Sequence, residues 1–257
     1  MERFLQKSVL AAAFTIGGLS FLAGHGQASN QPELTGAEKK SIEELTRRGV
    51  PLQADPQGRI RWIEAPHGEL SDKALRFLPG LQHLEWLEIG GGAVTAAGLA
   101  HLAECRSLKR LYIHDLDLRG EKLPWLSRLV NLEALSLQRT GIDGRVLRNI
   151  TSADSLLVLN LTGNRIVDED MQQIARFRNL EVLALANTRI SGAGLARLKG
   201  MEKLNELNLI NCRIVDGDLD YLVTMPNLRI VYTRGCDLSD MAVIQLRSKS
   251  HKLAVFR

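Results

Sequence analysis

Histidine, cysteine and closely spaced acids are the side chains of this chain that could do chemistry, and their spacing argues against it. The histidines are His25, His67, His83, His101, His114 and His251. None sits in an HExxH pattern, and no GxSxG or P-loop pattern occurs. Cys105, Cys212 and Cys236 form no CxxC, and no Cys/His spacing suits zinc. Asp115 and Asp117 alternate in the manner of a solvated loop. The run Gly90-Gly91-Gly92 lacks the Lys that a phosphate cradle needs, since the next basic residue is Arg106. It reads as a tight bend. Asn149-Ile150-Thr151 and Asn160-Leu161-Thr162 match the glycosylation pattern, but Asn160 falls on a packed strand. The expectation is no catalytic residue, no metal and no cofactor.

Composition points to a scaffold. Apolar residues make up 45% of the chain and charged ones 24%, as in a folded soluble protein, yet aromatics are only 5%. The apolar set is Leu, Ile, Val and Ala at fixed spacing, which marks a repeat protein. A net charge of +4 is too small to imply a nucleic-acid partner. Lys39, Lys40, Arg47 and Arg48 cluster near one end, and Arg247, Lys249, Lys252 and Arg257 near the other. These read as solvated cap surfaces, or as contacts for an anionic envelope surface.

Residues 1–28 read as an export segment outside the fold. Arg3 and Lys7 precede an uncharged run from Ser8 to Ala23, and Gly26 and Ala28 give a small-x-small exit before Ser29. The run is shorter than the ~20 residues of a membrane-spanning helix. Cleavage gives a periplasmic or extracellular protein. Retention gives one anchored to the membrane by residues 8–23.

From Ile60 onward the chain obeys a 24-residue frame. The first position holds Ile60, Leu84, Leu108, Leu132, Leu156, Leu180, Leu204 and Leu228. The fourth runs from Ile63 and Leu87 to Val231, the sixth from Ala65 and Ile89 to Thr233, and the eleventh from Leu70 and Val94 to Leu238. Positions 16 and 19 are apolar in every rung, from Leu75 and Leu78 to Val243 and Leu246. Positions 4 and 6 share strand parity and face a core, whereas 3, 5 and 7 face the other way, toward solvent. The 16-19-22 spacing is helical, so each rung returns through a short helix, with Asp72, Asp168, Asp216 and Asp240 expected as its N-caps. Position 9 carries Thr140, Asn164, Thr188, Cys212 and Cys236, small residues suited to the bend.

A rung such as Leu180–Leu198, LEVLALANTRISGAGLARL, resembles the L-x-x-L-x-L-x-x-N/T/C-x-L motif of leucine-rich-repeat proteins. The helix-then-repeat order and endings such as ISGAGLARL and VTAAGLAHL are similar to exported bacterial proteins with 24-residue repeats, and residues 192–196 resemble GALA-type rungs. The resemblance implies an α/β leucine-rich-repeat solenoid. It would be a curved right-handed coil, with parallel strands on its concave face and short helices on its convex face.

The organisation expected is a signal over 1–28, a capping helix and linker over 29–59, about eight repeats over 60–246 and a C-terminal cap over 247–257. Thr35 and Glu38 read as a capping box, and Gly49 as the helix stop. At the far end Leu253 arrives 25 residues after Leu228, which reads as decay of the frame, with Val255 and Phe256 covering the last layer.

Outward strand positions then give the candidate binding patch: Trp62, Glu64, Trp86, Glu88, Arg110, Tyr112 and His114, all on the first three rungs. His67 and His114 lie two rungs apart, ~10 Å by strand spacing, too far to share a metal. Cys212 and Cys236 occupy one repeat position on adjacent rungs, within reach of a disulfide, or remain reduced as small inward fillers. The function expected is that of an exported scaffold binding a protein, or an envelope glycan. The alternatives are a structural or envelope-assembly protein without a ligand site, and a specificity subunit of an enzyme.

Overall fold

The computed structural model describes residues 34–257. The expected export segment lies outside them. Among the described residues no helix is long and apolar enough to cross a membrane.

The chain winds as a solenoid around one sheet of ten strands taken in sequence order. These are β1 (Leu52–Ala54), β2 (Ile60–Ala65), β3 (Trp86–Gly90), β4 (Arg110–His114), β5 (Ala134–Gln138), β6 (Val158–Asn160), β7 (Val182–Ala184), β8 (Glu206–Asn208), β9 (Ile230–Tyr232) and β10 (Ala254–Phe256). From β2 onward neighbours pair in parallel, and each residue faces the one 24 places on, as Trp86 faces Arg110 and Leu135 faces Leu159. Return limbs are short α or 3-10 helices, among them Asp72–Leu75, Gly144–Asn149 and Gly192–Ala196.

The core follows from the frame. Leu135, Leu159, Leu183 and Leu207 at position 4, and Leu137, Leu161, Leu185 and Leu209 at position 6, are fully buried. Position 16 and 19 residues such as Leu99, Leu102, Leu195 and Leu198 meet them from the helical side. No rung closes its own apolar face, so each is stabilised by the next.

Position 8 shows how the chain leaves the strand. Gly91, Asp115, Arg139, Gly163, Asn187, Asn211 and Gly235 all have left-handed backbone, at φ between 52° and 76°. Gly, Asn and Asp tolerate that region, and Arg139 is the exception. Position 9 then turns inward. Asn164 Nδ2 donates to the Leu137 and Leu161 carbonyls at 2.6 and 3.0 Å, and its Oδ1 accepts from the Thr140 amide at 3.2 Å.

The N-terminal helix Gly36–Arg47 covers the first rung. Its capping box is formed, with Thr35 Oγ1 accepting from the Glu38 amide at 3.2 Å and Glu38 Oε2 from the Thr35 amide at 3.0 Å. Arg47 and Arg48 pair with Glu43 and Glu44 on the same helix. At the other end Lys249 pairs with Asp220, and Arg257 with Asp240. Both basic clusters are therefore partly neutralised within the fold.

Four expectations need correction. The aspartates are not the N-caps of their own helices, because each occupies the first helical position. They reach instead along the stack. Asp168 accepts from the amide and hydroxyl of Ser191 at 2.8 and 2.5 Å, and Asp72 and Asp216 hold Thr95 and Ser239 in the same way. The frame does not decay at the end: β10 keeps the 24-residue register with Ala254 opposite Ile230, and Leu253 simply fills position 2. Val255 is buried there, but Phe256 is half-exposed and stacks on Tyr232 at 5.2 Å instead of covering the core. Finally, the linker expected between the capping helix and the first repeat contains a strand, since β1 pairs antiparallel with β2.

Candidate functional site

The parity of the strands places all seven candidate residues on one face. Trp62 sits beside Trp86, and Trp86 beside Arg110. Glu64 sits beside Glu88, and Glu88 beside Tyr112. His114 completes the group opposite Gly90. A Cβ at Gly90 would come within 2.1 Å of the His114 ring, so the missing side chain is what seats the imidazole.

The aromatic half is packed. The Trp86 and Tyr112 rings lie 5.2 Å apart at 38°, and the Arg110 guanidinium sits 5.6 Å from the Trp86 ring. That is an arrangement of aromatic and cation–π attraction. The Tyr112 hydroxyl is buried without a hydrogen-bond partner. Burial pushes its pKa up to about 12, with Arg110 opposing and Glu88 reinforcing the shift.

The charged half is a chain of ion pairs. His114 Nε2 lies 3.3 Å from Glu88 Oε1, and Nδ1 lies 2.9 Å from Asp115 Oδ2. Both ring nitrogens face carboxylate oxygens, so both must donate, and the imidazolium is favoured. The hydrogen bond to Glu88 raises the His114 pKa most, against burial, with Asp115 adding to it. Arg139 grips Asp115 through two bonds of 2.6 Å and holds that carboxyl down at about 2, with His114 helping. Arg139 was not among the sequence candidates. Its signal was a large cation at position 8, where the first rung carries His67 and the others Gly, Asn or Asp.

The outward face is not the solvated surface that parity alone suggests. Trp86 and Tyr112 are only 5% and 6% exposed, and Trp62 is half-buried. Ala134, Val158, Val182 and Ala184 join them in an apolar cluster separate from the core. Ser136, Asn160 and Asn208 are buried on the same face. Strands ~4.8 Å apart on a concave sheet crowd their side chains together, and small aliphatic residues close the remaining gaps. The result is a packed apolar band running across the strands. At its far end lies Glu206, 7% exposed, with Oε1 buried and unpartnered. Burial alone raises its pKa.

The cysteines are free thiols. Cys212 donates to the Leu185 carbonyl and Cys236 to the Leu209 carbonyl, each at 3.1 Å. Stacked rungs aim these side chains in parallel, which is why the structure holds no Cys212–Cys236 bridge. Burial raises both thiol pKa values, that of Cys212 to about 11. Among the described residues no three His, Cys, Asp or Glu side chains converge as metal ligands.

No family model matches the chain, and no curated protein matches it. Solved structures do. Internalin C2 (inlC2) from Listeria monocytogenes superposes with a TM-score of 0.60 at 20% identity, over 90% of this chain and 99% of that one. Internalin inlF from the same species gives a TM-score of 0.52 at 20% identity, over 73% of this chain, which spans only 57% of the internalin. With the 24-residue register and the single sheet, parallel from β2 onward, these matches make the chain an α/β leucine-rich-repeat solenoid.

Proposed function

We propose that the chain is a non-catalytic, exported scaffold that binds a protein partner on its concave face, at the patch of Trp62, Glu64, Trp86, Glu88, Arg110, Tyr112 and His114. The observation that carries this reading is the uneven strand face. Large aromatic and charged residues gather on the first three rungs, and the middle rungs carry Ala, Val and Ser. Trp, Tyr and Arg dominate interface energies, especially where they are held rigid before binding. The packed Trp86–Tyr112–Arg110 group is held in that way, while Glu64 stays exposed at its rim. Export rests on residues 1–28, with the mature chain beginning near Ser29.

The test is a cross-linking pull-down from the source cell. Trp62→Ala and the charge-reversing pair Glu64→Arg, Arg110→Glu change the patch without emptying the cluster. Loss of the wild-type partner by variants that keep their circular dichroism supports the site. Undiminished capture by both variants rejects it. N-terminal sequencing of the exported fraction should begin near Ser29, and recovery of Met1 there would replace cleavage with anchoring.

A further inference from the structure

We propose that three exposed arginines on the flank of the solenoid, Arg165, Arg189 and Arg213, dock an acidic helix of a protein partner, one carboxylate to each rung. The surface uses none of the residues of the concave patch, so the two readings stand or fall separately.

The frame places the arginines. All three occupy position 10, between the strand exit and the return helix. There the backbone pairs again from rung to rung. The amides of Arg165, Arg189 and Arg213 donate to the carbonyls of Ile142, Ile166 and Ile190 at 2.9, 3.0 and 2.8 Å. Asp143 and Ser191 also bridge in parallel to Arg165 and Arg213. Ile166, Ile190 and Ile214 at position 11 are fully buried, so position 10 points away from the core, and all three arginines are exposed. Their side chains therefore leave the backbone ~4.8 Å apart, in line along the stack.

Like charges stacked in this way repel, and the chain does not relieve them. Other arginines of this flank are paired: Arg119 with Asp117, Arg139 with Asp115 and Arg145 with Asp143. Among the described residues Arg165, Arg189 and Arg213 make no ion pair and no side-chain hydrogen bond. Asp117 and Asp143 feel Arg165 only at a distance. Asp168 and Asp216, three residues beyond Arg165 and Arg213, are turned to Ser191 and Ser239. A row of unneutralised guanidinium groups is complementary to a row of carboxylates.

Spacing selects the carrier of those carboxylates. Acids at i, i+3 or i+4, and i+7 of an α-helix recur along one face every ~5.4 Å. Over two rungs the helix advances about 11 Å and the arginine row about 10 Å, a difference that flexible side chains absorb. An extended strand repeats the same side every ~6.6 Å and overruns the row by about 4 Å. The borders of the row suit a helix of mixed character. At position 8, Asn211 Nδ2 donates to Asn187 Oδ1 at 2.8 Å, and both amides are exposed with further N–H groups to give. At position 12, Val215 is 47% exposed.

The experiment selects binders of the full chain from a phage library on a helical scaffold with one face randomised. The comparison is the triple variant Arg165→Gln, Arg189→Gln, Arg213→Gln, whose fold circular dichroism verifies. The expected binders carry acids at i, i+3 or i+4, and i+7. Their affinity should fall about threefold for Arg189→Gln alone and at least about tenfold for the triple variant. Trp62→Ala should leave it unchanged. Binders without that acid spacing, equal affinity for the triple variant, or no binders at all overturn the proposal. A stronger, arginine-dependent preference for heparin, a polyanion without a helix, also overturns it and makes the row a glycan site. Binders that need Trp62 but ignore the arginines count against the row and support the concave patch.

Discussion

His114 shows what a single side chain reports about its surroundings. Its imidazolium is held between Glu88 and Asp115, and its pKa lies above the ordinary value. Because the folded value is raised, the stability that it contributes is complete below the unfolded value of ~6.5. It is lost as pH climbs through the folded value. Glu88→Gln removes the largest cause, so an NMR titration of His114 should move toward the ordinary histidine value, and pH dependence of stability in that window should shrink. An unchanged midpoint would mean that Glu88 does not hold the ring. Asn164 makes a second test at this scale. It satisfies two carbonyls and one amide at a buried bend. Asn164→Ala strands those groups and should lower stability by about 2–3 kcal/mol in urea unfolding. Asn164→Thr should lose less, since Thr140 and Thr188 hold the same position on adjacent rungs.

Between rungs the recurring device is an aspartate at the first helical position that bonds the next helix's start. Asp168→Ala removes both bonds to Ser191 and should lower stability by about 1–2 kcal/mol in chemical denaturation. A loss indistinguishable from zero would make the link ornamental. This device was hard to read in the sequence. Capping rules look along one chain segment, and Asp168 acts on a residue 23 places away. The inward positions, by contrast, were legible, because Leu135, Leu159 and Leu183 recur at a spacing that only one packing satisfies. Parity also placed Trp86, Tyr112 and His114 on the right face. It could not give their burial, because parity says which side a side chain leaves from, not how crowded that side is. Crowding depends on neighbours such as Val158 and Ala184, which look unremarkable one at a time. Glu206 was visible as an outward residue for the same reason, but its isolation required knowing that Val182 and Ile230 flank it.

For the molecule as a whole, stability is a sum over neighbouring rungs. Excision of residues 180–203, one 24-residue unit, joins Asn179 to Leu204 and preserves every strand position. That variant should remain folded, with the same circular dichroism per residue and one thermal transition at a lower midpoint. Excision of residues 180–191 alone should not fold, because it removes a strand and leaves its helix out of phase. If both deletions behave alike, the 24-residue unit is not the cooperative building block. One end of the stack limits its growth. A parallel sheet built by repetition could be extended head to tail by further copies, giving a fibre. β1 runs against the direction of the other strands and is only three residues long. An incoming strand at that edge would meet a backbone of reversed polarity and little of it. This short reversed strand gives the stack a distinct first layer and leaves little backbone at that edge for another copy to pair with.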